Sequence, residues 1–157
     1  MPWHEHPGRR HEQRCRVRCC QLPRPKQAGW ITRSFRFHTG QVLPELKAAH
    51  TAVGKPGDEP VLVLHRTTGT AANMLTPTFA SELFDPGKPL YAARHFIIST
   101  DSLGSGQSAK PSDGLRAAFP LHNCDDLVEA QHRLLKGYLG VRHVRVVIDN
   151  SMGGTHT

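Results

Sequence analysis

The chain has 157 residues, enough for one domain with a buried core and too few for two well-developed ones. With 38% hydrophobic and 21% charged residues it has a globular balance, and no apolar run approaches the ~18 residues a membrane span requires. The formal net charge of +7 points toward nucleic acid until it is placed: residues 1–28 hold seven Lys or Arg against Glu5 and Glu12, and the rest carries only +2.

The basic excess therefore belongs to a tail over 1–28, expected to be disordered, and the domain is assigned to 29–157. Cys15, Cys19 and Cys20 lie in the tail near His4, His6 and His11. A structural zinc site needs two separated ligand pairs in a fold that closes around the ion, so no metal and no cofactor is expected. Arginines interrupt the tail's apolar residues, which removes a secretory h-region and leaves the cytoplasm as the default compartment. Cys124 stands alone in the body, so nothing calls for structural disulfides. A non-enzymatic protein that binds nucleic acid or acidic surfaces through the tail is the alternative function. Only Trp3 is interleaved there for base stacking, so nucleic acid is an unlikely partner.

From Trp30 the texture changes. Phe35, Phe37 and the stretch Val42–Val53 alternate partially around His38-Thr39-Gly40, which predicts a half-buried β-hairpin. Residues 54–60 form a loop on composition. Val61-Leu62-Val63-Leu64 is a continuous apolar run, as in a strand buried on both faces, followed by a polar loop from His65 to Thr70. A short helix is expected over Phe79–Phe84, closed by Asp85-Pro86-Gly87. His95–Thr100 is the next buried strand, running into Asp101-Ser102-Leu103-Gly104-Ser105-Gly106-Gln107-Ser108. Gly104 and Gly106 lack the third glycine of a dinucleotide motif and are better turn formers. Asn123 caps a helix to about Leu139, with Asp126 in the box position and Leu127, Val128, Leu134, Leu135 and Tyr138 as the buried stripe. Gly140 closes it before Val144–Ile148. Strands alternating with helices give an α/β class: an antiparallel hairpin leading into a mostly parallel sheet.

Val146-Val147-Ile148-Asp149-Asn150-Ser151-Met152-Gly153-Gly154 then breaks from an apolar run into a Ser flanked by small residues. This is the pattern of a strand, a tight turn and the start of a helix with Ser151 at the apex, the nucleophile elbow. Taken in order, Phe37-His38-Thr39-Gly40, Val61–His65, Pro86-Gly87-Lys88-Pro89-Leu90, Asp101–Gly106 and Asn150–Gly154 resemble the homoserine O-acetyltransferase-like branch of the α/β-hydrolases, over residues 30–157.

The resemblance implies an acyl-enzyme mechanism with a nucleophilic Ser, a His that activates it and an acid that orients the His. Carried over, Ser151 is the nucleophile, and the backbone N–H groups of Met152 and Thr67 form the oxyanion hole. Substrates would be a small-molecule acyl donor and acceptor: acetyl-CoA and a hydroxyl compound, or an ester and water. Three departures stand out. Arg66 follows the strand-ending His where the family has Gly, Asp149 replaces the elbow Gly, and Tyr91 replaces an Asp after Pro89-Leu90. Asp149 is expected to strain the turn and to place negative charge beside the oxyanion. The family's acid and His lie well beyond the elbow. His65 and His95 are expected to be structural, His122 and His143 fall in connections, and His156 is too close to Ser151 in sequence. The chain is therefore expected to be the N-terminal half of a serine acyltransferase or hydrolase, truncated after the elbow strand and inactive alone.

Overall fold

A computed structural model describes residues 22–155. Five strands, β1 (Lys26–Arg36), β2 (Val42–Val53), β3 (Glu59–Leu64), β4 (His95–Thr100) and β5 (Val146–Asp149), form one sheet in the order β1-β2-β4-β3-β5. The β1–β2 and β2–β4 pairs are antiparallel, and β3 lies parallel to both β4 and β5. Two α-helices, α1 (Pro77–Leu83) and α2 (Cys124–Arg133), fill the β3–β4 and β4–β5 connections. The result is the mixed α/β sheet that the strand pattern implies.

The hairpin turns where expected. Phe37 and Gly40 are tied by Gly40 N–H to Phe37 O at 2.8 Å, and Gly40 takes φ +84, a conformation open to a residue without Cβ. One boundary and one burial pattern differ from the sequence expectation. β1 begins at Lys26, so Lys26–Ala28 belong to the sheet and not to the tail. Their backbone pairs with Thr51 and its neighbours (Gln27 faces Thr51), a long-range contact without a local hydrophobic pattern to betray it. Residues 22–25 have no regular structure, though Leu22 packs against the Val53, Val61 and Phe84 cluster, and residues 1–21 of the tail assignment, with its cysteines and histidines, lie outside the described residues. Nor is the hairpin half-buried throughout: β2 is buried on both faces from Ala48 to Val53, because it also pairs with β4.

Period-two alternation divides the core into two layers. Val53, Val61, Val63 and Ile97 face Ala80 and Phe84 on one side of the sheet. Ala52, Leu62, Leu64, Phe96 and Ile98 face Leu135 on the other. Every residue of β4 is buried, as a central strand covered on both faces must be.

α2 starts on the expected capping box: Asn123 Oδ1 accepts the Asp126 N–H at 3.1 Å, and Asp126 Oδ2 accepts the Asn123 N–H at 3.0 Å. The buried stripe is Leu127, Gln131, Leu134 and Leu135; Val128 is 42% exposed and Tyr138 46% exposed, contrary to expectation. Val128 sits one residue, about 100° of helix rotation, beyond Leu127. After Arg133 the helix widens into a π-type turn over Leu134–Tyr138, closed by Leu139 N–H to Leu134 O at 3.0 Å. That widening carries Tyr138 to the hairpin, where it stacks on Trp30 at 6.0 Å instead of entering the core.

Candidate functional site

β5 ends at Asp149, in register with Leu64 of β3, and Asn150 N–H extends the ladder to Leu64 O at 3.2 Å. The next residue, Ser151, is exposed and takes φ +57. A non-glycine residue in the left-handed region costs about 1–3 kcal/mol and persists only where its surroundings enforce it. Here they do. Gly153 N–H closes the turn onto Asn150 O at 3.1 Å, and Ser151–Thr155 continue as a 3-10 turn.

Gly153 is buried against the end of β3: a Cβ there would meet Leu64 O at 2.9 Å and Leu64 Cβ at 3.0 Å. A Cβ on Gly154 would meet Asp149 Oδ1 at 2.9 Å. The glycines that allow the close approach therefore follow the Ser. Asp149 itself is an ordinary strand residue with an exposed side chain and no positive φ, so the expected strain at 149 is absent and falls on Ser151.

Three residues before Thr67, Leu64 leads into the second loop. His65 is buried (1% exposed). Its Nδ1 lies 2.8 Å from Arg66 O, and its Nε2 accepts the Ser102 N–H at 3.1 Å. Gly69 N–H also reaches Arg66 O, at 2.9 Å, closing a turn in which Thr68 has φ +61. Arg66 is exposed and has no positive φ, and the positive φ of this loop falls on Thr68.

A third loop joins them. Asp101 Oδ1 accepts the Ala71 N–H at 2.6 Å and Oδ2 the Gln107 N–H at 2.8 Å. A Cβ on Gly106 would overlap that carboxylate, and Gly104 and Gly106 both have positive φ. The Gly-x-Gly here is a carboxylate-centred turn that stitches the β4 loop to the β3 loop.

Because β3, β4 and β5 run parallel, their three following loops meet at one edge of the sheet, where ligands bind in open α/β folds. Ser151, Met152 and Thr67 all stand on that edge. Cys124 at the start of α2 reaches it as well, with Sγ 3.8 Å from Thr155 Oγ1. Among the described residues no side chain hydrogen-bonds the Ser151 hydroxyl. Among the described residues, grooves run along the hairpin between Ile31, Lys47, Gln107 and Phe119 and beside Leu135 and Val144. No cluster of three metal-ligating side chains occurs among the described residues, and no helix there is long and apolar enough to cross a membrane.

One titratable pair escaped the sequence reading. His38, at the hairpin tip, sets Nδ1 2.7 Å from Asp126 Oδ2 across 88 residues. Burial acts to raise the Asp126 carboxyl. The His38 side-chain hydrogen bond, the backbone N–H groups of Asn123 and His38 and the His38 charge outweigh it and hold the acid below its ordinary value. The one available signal was Asp126 itself, an acid at helical spacing with the apolar stripe. His50, buried under Tyr138, is pushed down by desolvation, with the Asp101 charge opposing.

No protein-family model matches the chain. Among curated proteins it is similar to a probable acyltransferase of Methanothermobacter thermautotrophicus, 33% identical over 128 residues, covering 76% of this chain and 39% of that one. It is similar to a homoserine O-acetyltransferase of Methanosphaera stadtmanae, 32% identical, covering 76% and 28%. A serine O-succinyltransferase of Emericella nidulans is 34% identical with the same coverage. Among solved structures, a homoserine O-acetyltransferase from Staphylococcus aureus superposes with a TM-score of 0.71 at 24% identity, over 83% of this chain and 40% of that one. The acetyl esterase MekB gives 0.73 at 24% identity, over 84% and 39%. The chain thus spans between a quarter and two fifths of the length of these relatives.

Proposed function

We propose that this chain, an α/β-hydrolase-fold segment of the homoserine O-acetyltransferase type over about 76% of its length, carries the nucleophile half of a serine acyl-transfer site. Ser151 Oγ attacks the acyl carbonyl, and the tetrahedral oxyanion is received by the N–H groups of Met152 and Thr67. The Oγ proton passes to the general base, the intermediate collapses with loss of the donor's thiol or alcohol, which takes up that proton, and the acyl group left on Ser151 then passes to a hydroxyl acceptor, or to water. The acyl donor would be acetyl-CoA in a transferase or an ester in a hydrolase. The observation that carries this reading is the exposed Ser151 at φ +57, in a turn that follows β5 and is held against Leu64 of the parallel strand β3 by the Asn150 N–H and the close approach of Gly153.

Turnover needs more than this. A Ser hydroxyl is a weak nucleophile at neutral pH without an adjacent base, and no described side chain is bonded to Ser151. The 157 residues are therefore proposed to be inactive alone, the base and its orienting acid belonging to the portion of the relatives that this chain does not span. Labelling with a fluorophosphonate probe tests both statements. Labelling at least about a hundredfold slower than that of the Methanothermobacter relative, and lost in Ser151→Ala, is expected. Rapid labelling would overturn the inactivity, and labelling that survives Ser151→Ala would overturn the assignment of the nucleophile.

A further inference from the structure

Resting on that assignment of the oxyanion donors, we infer that His65 is a positioning residue. As the neutral Nδ1–H tautomer it holds the Arg66–Thr67 peptide in the orientation that turns the Thr67 N–H out of the loop. The constraint comes from the peptide unit. No described peptide bond is cis, and in a planar trans peptide the C=O and the following N–H point in opposite directions. Fixing the carbonyl of Arg66 therefore fixes the N–H of Thr67.

That carbonyl is fixed twice. His65 Nδ1 donates to it at 2.8 Å and Gly69 N–H at 2.9 Å, which occupies both lone pairs. A peptide flip would break both bonds and leave a buried imidazole unsatisfied. The Thr67 N–H opposite has no partner among the described residues, and Thr67 is exposed. A donor held outward and unused is what an oxyanion hole requires, because no reorganisation is then needed when charge develops.

The tautomer follows from the other ring nitrogen. Nε2 receives the Ser102 N–H at 3.1 Å, so it carries the lone pair and Nδ1 the proton. Ser105 Oγ lies 3.3 Å from Nε2 and 3.1 Å from Ser102 O, so its single proton serves one of these two acceptors. Burial at 1% exposure leaves the ring no alternative partner in solvent. The same side chain ties the β4 loop to the β3 loop, which makes the aim of Thr67 dependent on both.

Two variants separate aiming from packing. In His65→Asn the amide nitrogen falls near the position of Nδ1 and can still donate to Arg66 O. In His65→Gln the amide oxygen falls near Nε2 and can still accept from Ser102, but the Arg66 carbonyl loses its donor. At equal folded fraction, Ser151 labelling is expected to fall about tenfold or more in His65→Gln and less than about threefold in His65→Asn. Equal losses in the two variants would reduce His65 to a packing residue and overturn the inference. Imidazole nitrogen NMR shifts of the unmodified chain provide a reading without mutation: a proton on Nδ1 is expected, and a proton on Nε2 would overturn the inference. If Ser151 fails to label in any form, the absence of a base beside its hydroxyl accounts for it. His65 is then decided by the tautomer and by whether Thr67 amide exchange changes in His65→Gln and not in His65→Asn.

Discussion

The Asp126 carboxylate grips His38 at two points, taking its backbone N–H at 2.8 Å on Oδ1 and facing its ring Nδ1 at 2.7 Å on Oδ2. Oδ2 also receives the Asn123 N–H that begins α2. One buried acid thus closes the helix cap and anchors the hairpin tip. Its carboxyl is held below the ordinary value of 3.8, so it binds fewer protons folded than unfolded near that value. The stability it contributes is therefore complete above its unfolded value and is lost as pH falls through the lower folded value. Asp126→Asn is expected to lower stability by about 1–3 kcal/mol near neutral pH, where it leaves buried groups imperfectly paired. Thermal unfolding of both proteins from neutral pH down to about pH 3 checks the sign: the gap should narrow only at the acidic end. A gap independent of pH would deny the carboxylate its charged role.

This pair also marks how far local pattern carries. β3 and β4 were legible because strands covered on both faces must be apolar throughout, and Val61–Leu64 and His95–Thr100 are bounded by polar loops. The α2 start was legible because Asn123 and Asp126 satisfy each other over three residues. His38 was not, because its partner is 88 residues away and an exposed His in a turn carries no signature of its own. Lys26–Ala28 fail for the same reason, being held by β2 and not by their own composition. At the elbow, motif order located the edge of the sheet but misplaced the strain. Only the backbone shows that Gly153 and Gly154 make the space and that Asp149 stays in the strand.

Thr68 stands at φ +61 in the turn that Gly69 closes onto Arg66, two residues past Arg66, where a type II-like turn favours glycine. A β-branched residue is a true outlier in that region. Thr68→Gly is expected to raise stability by about 1 kcal/mol, the relief exceeding the extra entropy of an unfolded glycine. Denaturant unfolding measures it. A loss of stability would mean that Thr68 does not hold this conformation in solution.

β5 ends the sheet order, is four residues long and leaves Val147 41% exposed. An edge strand with an apolar face and unpaired backbone groups is a template for another strand. The 157-residue chain is expected to self-associate with rising concentration, and Val147→Lys to shift it toward the monomer, as read by sedimentation. A monodisperse monomer at high concentration, with no response to Val147→Lys, would deny the edge this role.

Asp149 sits two residues before Ser151 with its side chain exposed, and its carboxylate stands beside Gly154, near the end of the Ser151–Thr155 turn. Acyl transfer builds negative charge on the oxygen that the Met152 and Thr67 N–H groups are proposed to receive, so a fixed carboxylate nearby raises the barrier. Exposure places the interaction in high dielectric, where a single charge near the site changes a rate by a few-fold and salt screens it. Asp149→Asn keeps shape and removes the charge. It is expected to speed Ser151 labelling by about threefold at low ionic strength and by less at 1 M salt, where the screening length falls to about 3 Å. The strand pairs through its backbone, Leu64 opposite Asp149, so the unfolding temperature should stay nearly constant. A slower rate in Asp149→Asn would reverse the sign of the effect and make the carboxylate a proton acceptor for Ser151 instead of an obstacle to it.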